Sequence, residues 1–104
     1  MAIIFRNANF AKSTLASAIA AGDSSLTVAS GHGVRFPQSG TFIAVIWAAA
    51  SSNPSDDANR EVIHCTLSSG DTFTITRAEE DTTAAAWAAG AKIAHTITAG
   101  KIQE

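Results

Sequence analysis

Three histidines and one cysteine are the residues of this sequence best suited to bind a metal ion. His32, His64 and His95 lie far apart in the chain, and no two of them have the short ligand spacing of a zinc or iron site. Cys65 is the single cysteine, so it can form neither an intrachain disulfide nor a cysteine-rich metal site. We therefore expect no metal and no other cofactor, and we expect Cys65 to be a buried strand residue.

Carboxylates, which could carry out acid–base catalysis, are clustered at two places. Glu79, Glu80 and Asp81 are consecutive, and Asp56 and Asp57 form a lesser pair. Glycoside hydrolysis needs two carboxyl groups that face each other across a cleft, and consecutive residues do not provide this arrangement. The sequence also lacks a Gly-x-Ser-x-Gly motif and a phosphate-binding loop with its lysine. These patterns predict that the chain is not an enzyme and has no catalytic residues.

Charge and composition limit the classes of partner. The chain has 104 residues, a net charge of −2 and seven scattered Lys and Arg residues. A nucleic-acid-binding surface needs several basic residues on one face to displace counterions, so we expect no nucleic-acid partner. No segment approaches the ~20 apolar residues that cross a bilayer, and residues 1–10 lack the apolar core of a secretion signal. We therefore expect no membrane partner and synthesis in a cytoplasm.

Short runs of alternating polar and apolar residues, separated by turn residues, predict an all-β fold. Segment 72–76 alternates most clearly, with threonines around Phe73 and Ile75. Segment 41–48 is apolar throughout, which indicates a central strand or one covered by another subunit. We predict a small antiparallel barrel or sandwich of about six strands. The assigned strands are 13–20 (where the spacing of the large apolar residues also suits a helix), 25–28, 41–48, 61–67, 72–76 and 92–98.

The chain divides into an N-terminal arm at 1–12, a barrel or sandwich domain at 13–99 and a C-terminal tail at 100–104. Within the domain, residues 82–89 are rich in alanine around Trp87. Asp81 or Thr82 could cap a short helical turn there, and Gly90 could end it. We therefore predict one helical turn near residues 82–89.

Aromatic and aliphatic residues outside the clear core positions are candidates for contacts between subunits. Large aromatic side chains either fill a core or anchor an interface. The arm is apolar, and an exposed run of this kind favours addition of a strand or a hook to an adjacent subunit. The candidate interface residues are Ile3, Ile4, Phe5, Phe10, Trp47 and Trp87.

Several segments of the chain follow one another in a characteristic order. In the second half these are a strand at 61–66, a Ser-Gly-Asp-Thr turn with a threonine-rich strand at 69–77, an acidic turn at 80–84 and a segment at 87–93. With segment 20–28 and the Phe36-Pro37 turn, this order resembles small β-domains of tailed-phage and prophage structural proteins, over about residues 15–98. Asp81 stands where these domains usually have glycine, and Trp87 where histidine is common.

The resemblance implies a non-enzymatic virion component of a tailed phage that acts by subunit assembly. A tail, baseplate or fibre-attachment role is the first expectation, and a capsid decoration or cement protein is the alternative. The expected partners are other virion structural proteins and copies of the chain, and the expected location is the virion. An alternative of another class is a carbohydrate- or surface-binding module with an exposed Trp47 or Trp87 stacked on a sugar, although the alanines around Trp87 argue against it.

Overall fold

The computed structural model describes residues 11–52, 54 and 57–95. This part of the chain is all-β, which confirms the prediction of about six antiparallel strands. Its one helical element is a single 3₁₀ turn at Gly33–Arg35. None of its helical residues forms a segment long and apolar enough to cross a membrane. The strands are β1 (Lys12–Thr14), β2 (Ser25–Thr27), β3 (Thr41–Trp47), β4 (Glu61–Ser69), β5 (Thr72–Glu79) and β6 (Lys92–His95).

All six strands belong to one curled sheet. The strand order is β1-β6-β3-β4-β5-β2, and every neighbouring pair is antiparallel. Immediately after β1 and β2, Leu15 forms an isolated bridge with Val28. Backbone hydrogen bonds of 2.9 Å flank this bridge on both sides. The two edge strands therefore meet, and the sheet is a half-barrel rather than one layer of a sandwich.

The core lies inside the curl and follows the alternation of the strand sequences. On β5, Phe73 and Ile75 are buried, and Thr74 and Thr76 are exposed, as the pattern predicts. Every residue at positions 42–47 of β3 is buried, so this strand is covered on both faces. Alternate residues of β3 belong to the core cluster, and those on its other face are buried outside that cluster, which accounts for the continuous apolar run.

Three phenylalanines fill one end of the curl. Phe36, which directly follows the 3₁₀ turn, stacks on Phe42 with ring centroids 5.7 Å apart. Phe73 meets both rings edge-on, at 5.5 Å from Phe36 and 5.6 Å from Phe42. Offset and edge-to-face pairs of this kind add to the stability gained from burial alone.

Segment 13–20 contains no helix. Strand β1 covers Lys12–Thr14, Leu15 and Ile19 each form an isolated bridge, and both of these side chains lie in the core. Lys12, assigned from the sequence to the arm, is thus the first residue of β1. Residues 1–10 of the predicted arm, residues 96–98 of the predicted last strand and the tail at 100–104 lie outside the described residues.

The helical turn predicted near residues 82–89 is wrong. Apart from the turn that begins at residue 89, this segment has no helix or strand, and Trp87 forms an isolated bridge with Ile19. The backbone N–H of Ala85 donates to the Glu61 carboxylate at 3.1 Å, and its carbonyl accepts from Arg77. Because these groups are bound by distant side chains, they are not available for the i to i−4 bonds of a helix.

Candidate functional site

The residues predicted to form an interface fall into two groups. Ile3, Ile4, Phe5 and Phe10 lie outside the described residues. Trp47 and Trp87 are only 2% and 6% exposed, because both indoles pack within the chain itself. Neither tryptophan therefore presents a ring face on which a sugar could stack. Their predicted contact with another subunit stays a prediction.

Each indole N–H has a specific partner inside the fold. Trp47 Nε1 donates to the carbonyl oxygen of Ser51 at 2.9 Å, which holds the start of the β3–β4 connection against the sheet. Trp87 Nε1 donates to Glu61 Oε1 at 3.0 Å. A buried indole usually finds such an acceptor, and here the acceptor of Trp87 is a carboxylate.

Glu61, the first residue of β4, is the centre of a buried polar cluster. Its side chain is fully buried and accepts five hydrogen bonds. Arg77 approaches as a fork, with Nε 2.8 Å from Oε2 and Nη2 2.9 Å from Oε1. The amide of Ala78 donates to Oε2, and the amide of Ala85 and the Trp87 indole donate to Oε1. We call Glu61, Arg77 and Trp87 the Glu61 cluster.

Arg77 extends this cluster to a second part of the chain. Its Nη1 atom donates to the carbonyl oxygens of Ala20 at 2.7 Å and Asp23 at 3.0 Å, in the β1–β2 connection. Its Nη2 atom also donates to the carbonyl oxygen of Ala85 at 2.6 Å. One guanidinium thus joins β5, the β1–β2 connection and the segment before β6. A planar, permanently charged group with five N–H donors suits this role better than a lysine would.

The electrostatics of the cluster keep Glu61 ionised. Burial by itself raises the pKa of this carboxyl, but hydrogen bonds from Arg77, Trp87, Ala78 and Ala85 outweigh it. They hold the pKa below the ordinary value of 4.5. A buried carboxylate with a lowered pKa and five hydrogen-bond donors is ionised at neutral pH. The cluster therefore stabilises the fold as an internal ion pair with its hydrogen bonds satisfied.

A strained turn lies next to the cluster, at the end of β5. Ala78, Glu80 and Asp81 have φ angles of 54°, 54° and 67°, in the left-handed region that favours glycine. Thr82 fixes the turn, because its hydroxyl accepts from the Val62 amide at 3.0 Å and lies 2.7 Å from the Glu79 carbonyl oxygen. Asp81, which stands where the resembling domains usually have glycine, is thus held in a glycine-type conformation.

The strained turn borders an open depression of about 550 Å³. The depression also borders the end of the β3–β4 connection, where Asp57 lies. Both Asp57 oxygens accept backbone N–H groups, from Ala48 at 2.8 Å and Asn59 at 2.9 Å. These bonds lower the pKa of Asp57, so it shapes the loop as an ionised acceptor. Neither histidine nor cysteine is among the described residues that line this depression.

Asp71 has a similar role in the β4–β5 turn. Its oxygens accept the amides of Gly33 at 2.8 Å and Gly31 at 3.1 Å, so it clamps the loop of the 3₁₀ turn onto the sheet. Those two bonds lower the pKa of the Asp71 carboxyl, with a smaller contribution from the charge of His32. Asp57 and Asp71 therefore both bind loops of their own chain.

The candidate metal ligands do not converge. His32 Nδ1 lies 2.7 Å from the Ser13 hydroxyl, and His95 Nδ1 lies 2.7 Å from the carbonyl oxygen of Ile43. His64 Nε2 lies 3.9 Å from a Glu79 oxygen. Burial strongly raises the pKa of Cys65, so its thiol stays protonated and unreactive. Among the residues that the structure describes, no group of three His, Cys, Asp or Glu side chains could hold a metal ion.

Comparison with known protein families finds no match for this chain, and no curated protein sequence matches it either.

Proposed function

We propose that this chain is a non-enzymatic structural component of a tailed-phage virion that acts by subunit assembly. The observation that supports the proposal most directly is the Glu61 cluster. The fully buried Glu61 carboxylate and its Arg77 partner hold four parts of the chain together, and neither residue lines a described depression. Such internal cross-links make a rigid body, which is the property that a repeated structural subunit needs.

The order of sequence segments supports the choice of the virion as the location. Within the virion, a tail, baseplate or fibre-attachment position is the preferred one, and a capsid decoration role is the alternative. The apolar residues of the arm, Ile3, Ile4 and Phe5, are the proposed contact with a neighbouring subunit. Strand addition by an extended arm provides main-chain hydrogen bonds and side-chain contacts together.

Replacement of the arm residues tests the assembly mechanism. We expect the full chain to form one defined oligomer by light scattering, and the variant Ile3→Ser/Ile4→Ser/Phe5→Ser to be a monomer at the same concentrations. The loss follows because three buried aliphatic or aromatic side chains contribute about 1.5–3 kcal/mol each to an interface. A trimer would favour the capsid decoration role, and a ring of higher symmetry would favour the tail.

Val34 provides the matched control for this experiment. It is the exposed large hydrophobic residue of the described chain, with 75% of its surface accessible. Val34→Ser removes a comparable side chain without touching the arm, so we expect the oligomer to persist. A chain that is monomeric at every concentration, or an oligomer that survives the arm substitutions, would contradict the proposed mechanism.

The proposed location has its own test. Tailed particles purified from the strain that encodes the chain are expected to contain its peptides at a constant ratio to the other structural proteins, as measured by quantitative mass spectrometry. A fixed ratio follows because a structural subunit occupies a set number of positions per particle. Peptides found only in the soluble fraction, and absent from the particles, would show that the location is wrong.

A further inference from the structure

A second depression, of about 280 Å³, lies where β1, the 3₁₀ turn and β6 come together. We call it the basic pocket. It brings together two lysines, one arginine and one histidine, with three hydroxyl-bearing residues and one tryptophan beside them. The residues that the argument uses are Lys12, Ser13, His32, Arg35, Trp47 and Lys92.

The positive charge of the described chain is concentrated in this pocket. The sequence as a whole has a net charge of −2, yet three of the five Lys and Arg residues in the described ranges line the pocket. No Asp or Glu is among the described lining residues. The ion pairs found in the described ranges use Arg77 and His64, so none of the three pocket cations is neutralised by a carboxylate there.

The cations are held in place by the sheet and its connections. Lys92 pairs with Thr14 of β1 and with Trp47 of β3, and its Nζ atom donates to the Ser51 carbonyl oxygen at 2.9 Å. Arg35 Nη1 donates to the carbonyl oxygen of Lys12 at 3.2 Å, which ties the 3₁₀ turn to β1. Lys12 and Arg35 thus both line the pocket, with Arg35 anchored to the backbone of Lys12.

Neutral and titratable groups complete the pocket wall. The Ser13 hydroxyl lies 2.7 Å from His32 Nδ1. The Asp71 carboxylate lies near enough to His32 for a coulombic effect, but its two oxygens already accept the amides of Gly31 and Gly33. The pocket therefore presents cations and hydroxyl groups to solvent, with its nearby carboxylate turned to the backbone.

We propose that the basic pocket binds a multivalent oxyanion of the phosphate class. Three permanent cations within one depression are matched by an anion with two or more charges, whereas a single carboxylate would leave two of them unpaired. The volume lies just below the range of about 300–1,000 Å³ that is typical of small-molecule sites, so it suits a phosphoryl or diphosphoryl group rather than a polymer. This inference is independent of the proposed virion role.

Calorimetric titration of the full chain with pyrophosphate at low ionic strength tests the proposal. We expect saturable binding to one site, weaker binding of inorganic phosphate and no detectable binding of acetate. The variant Lys12→Gln/Arg35→Gln should bind pyrophosphate at least about tenfold more weakly, because two charge-assisted hydrogen bonds are lost. Both side chains are exposed, and the hydrogen bond from Arg35 to the Lys12 carbonyl oxygen that the variant loses is exposed too, so thermal unfolding should change little.

Arg60→Gln is the control for nonspecific charge effects. Arg60 is exposed and lines the other depression, so its loss changes the net charge without changing the basic pocket. Pyrophosphate affinity should stay within about twofold in this variant, since one charge outside the pocket contributes much less than a direct charge-assisted hydrogen bond. Equal weakening by both variants, or no weakening by Lys12→Gln/Arg35→Gln, would overturn the proposal. Tighter binding of a single-stranded oligonucleotide than of pyrophosphate would overturn it too, and would assign the pocket to a nucleic acid.

Discussion

Replacement of Glu61 with alanine is expected to lower the free energy of unfolding by about 3 kcal/mol, because it leaves a partly buried guanidinium without its counter-charge and a buried indole N–H without its acceptor. The Arg77 fork, the Trp87 indole and the Ala85 amide would all lose their acceptor. A domain of this size has a total stability of about 5–15 kcal/mol, so the loss is a large part of the whole. Urea denaturation followed by tryptophan fluorescence measures it, and Trp87 itself reports on the cluster.

Two further variants separate the ion pair from its surroundings. Glu61→Gln keeps the side-chain volume but turns an N–H₂ group towards the donors. We therefore expect its free energy of unfolding to lie between that of Glu61→Ala and that of the original chain. Glu79→Gln removes a partly exposed carboxylate that lies 3.9 Å from His64, and we expect it to cost at most about 1 kcal/mol. If Glu61→Ala and Glu79→Gln destabilised the chain equally, the Glu61 cluster would not have the structural role that we assign to it.

The pH dependence of the free energy of unfolding also tests the role of Glu61. The folded-state pKa of Glu61 is lower than its unfolded value, so its contribution is fully present above about pH 4.5 and disappears as the pH falls through the folded value. Asp57 and Asp71 have lowered pKa values as well, so their protonation on acidification also destabilises the fold. Glu61→Ala should therefore show a shallower loss of stability on acidification than the original chain, without abolishing it.

Replacement of Gly33 with alanine is expected to be the second most damaging change, with a loss of about 2–3 kcal/mol from overpacking. Gly33 is buried beneath the β4–β5 turn. A Cβ atom at this position would overlap the carbonyl oxygen of Gly70 and lie 2.9 Å from Asp71 Oδ1. Since the nearest atom belongs to the backbone, the turn itself would have to move, and the Asp71 bonds to the Gly31 and Gly33 amides would be disturbed.

Gly22→Ala is the matched control for Gly33→Ala. Gly22 has no atom within 4 Å of the added methyl group, and its φ angle is outside the left-handed region. Its replacement should change stability by at most about 1 kcal/mol, because only the entropy of the unfolded chain is affected. Similar denaturation midpoints for the two variants would contradict the close approach of the 3₁₀ turn to the β4–β5 turn.

The strands could be predicted from the sequence because their signal is local. Alternation identified the buried faces of β4 and β5, and the unbroken apolar run identified the central strand β3. Phe36 was not predicted as a core residue, because Pro37 directly after it indicates a turn. The residue does lie in a connection, yet its ring reaches Phe42 and Phe73 in the core.

The Glu61 cluster could not be predicted, because no local pattern links its members. Glu61 reads as a polar residue at the start of a strand, and Arg77 as part of a charged turn. Their contact depends on the pairing of β4 with β5, and the segment around Ala85 reaches Glu61 from a part of the chain that lies 24 residues away. The same contact explains the error at residues 82–89, where helix propensity is overridden by tertiary hydrogen bonds.

The pairing of β1 with β6 has a consequence for how the chain folds during synthesis. Residues 12–14 are made early, but their sheet partners at 92–94 are among the last described residues to leave the ribosome. Until then β1 has no partner, and β3 is exposed along the edge that β6 will occupy. Such unpaired edges are sites of mispairing between nascent chains, so closure of the sheet waits for β6 and competes with aggregation until then.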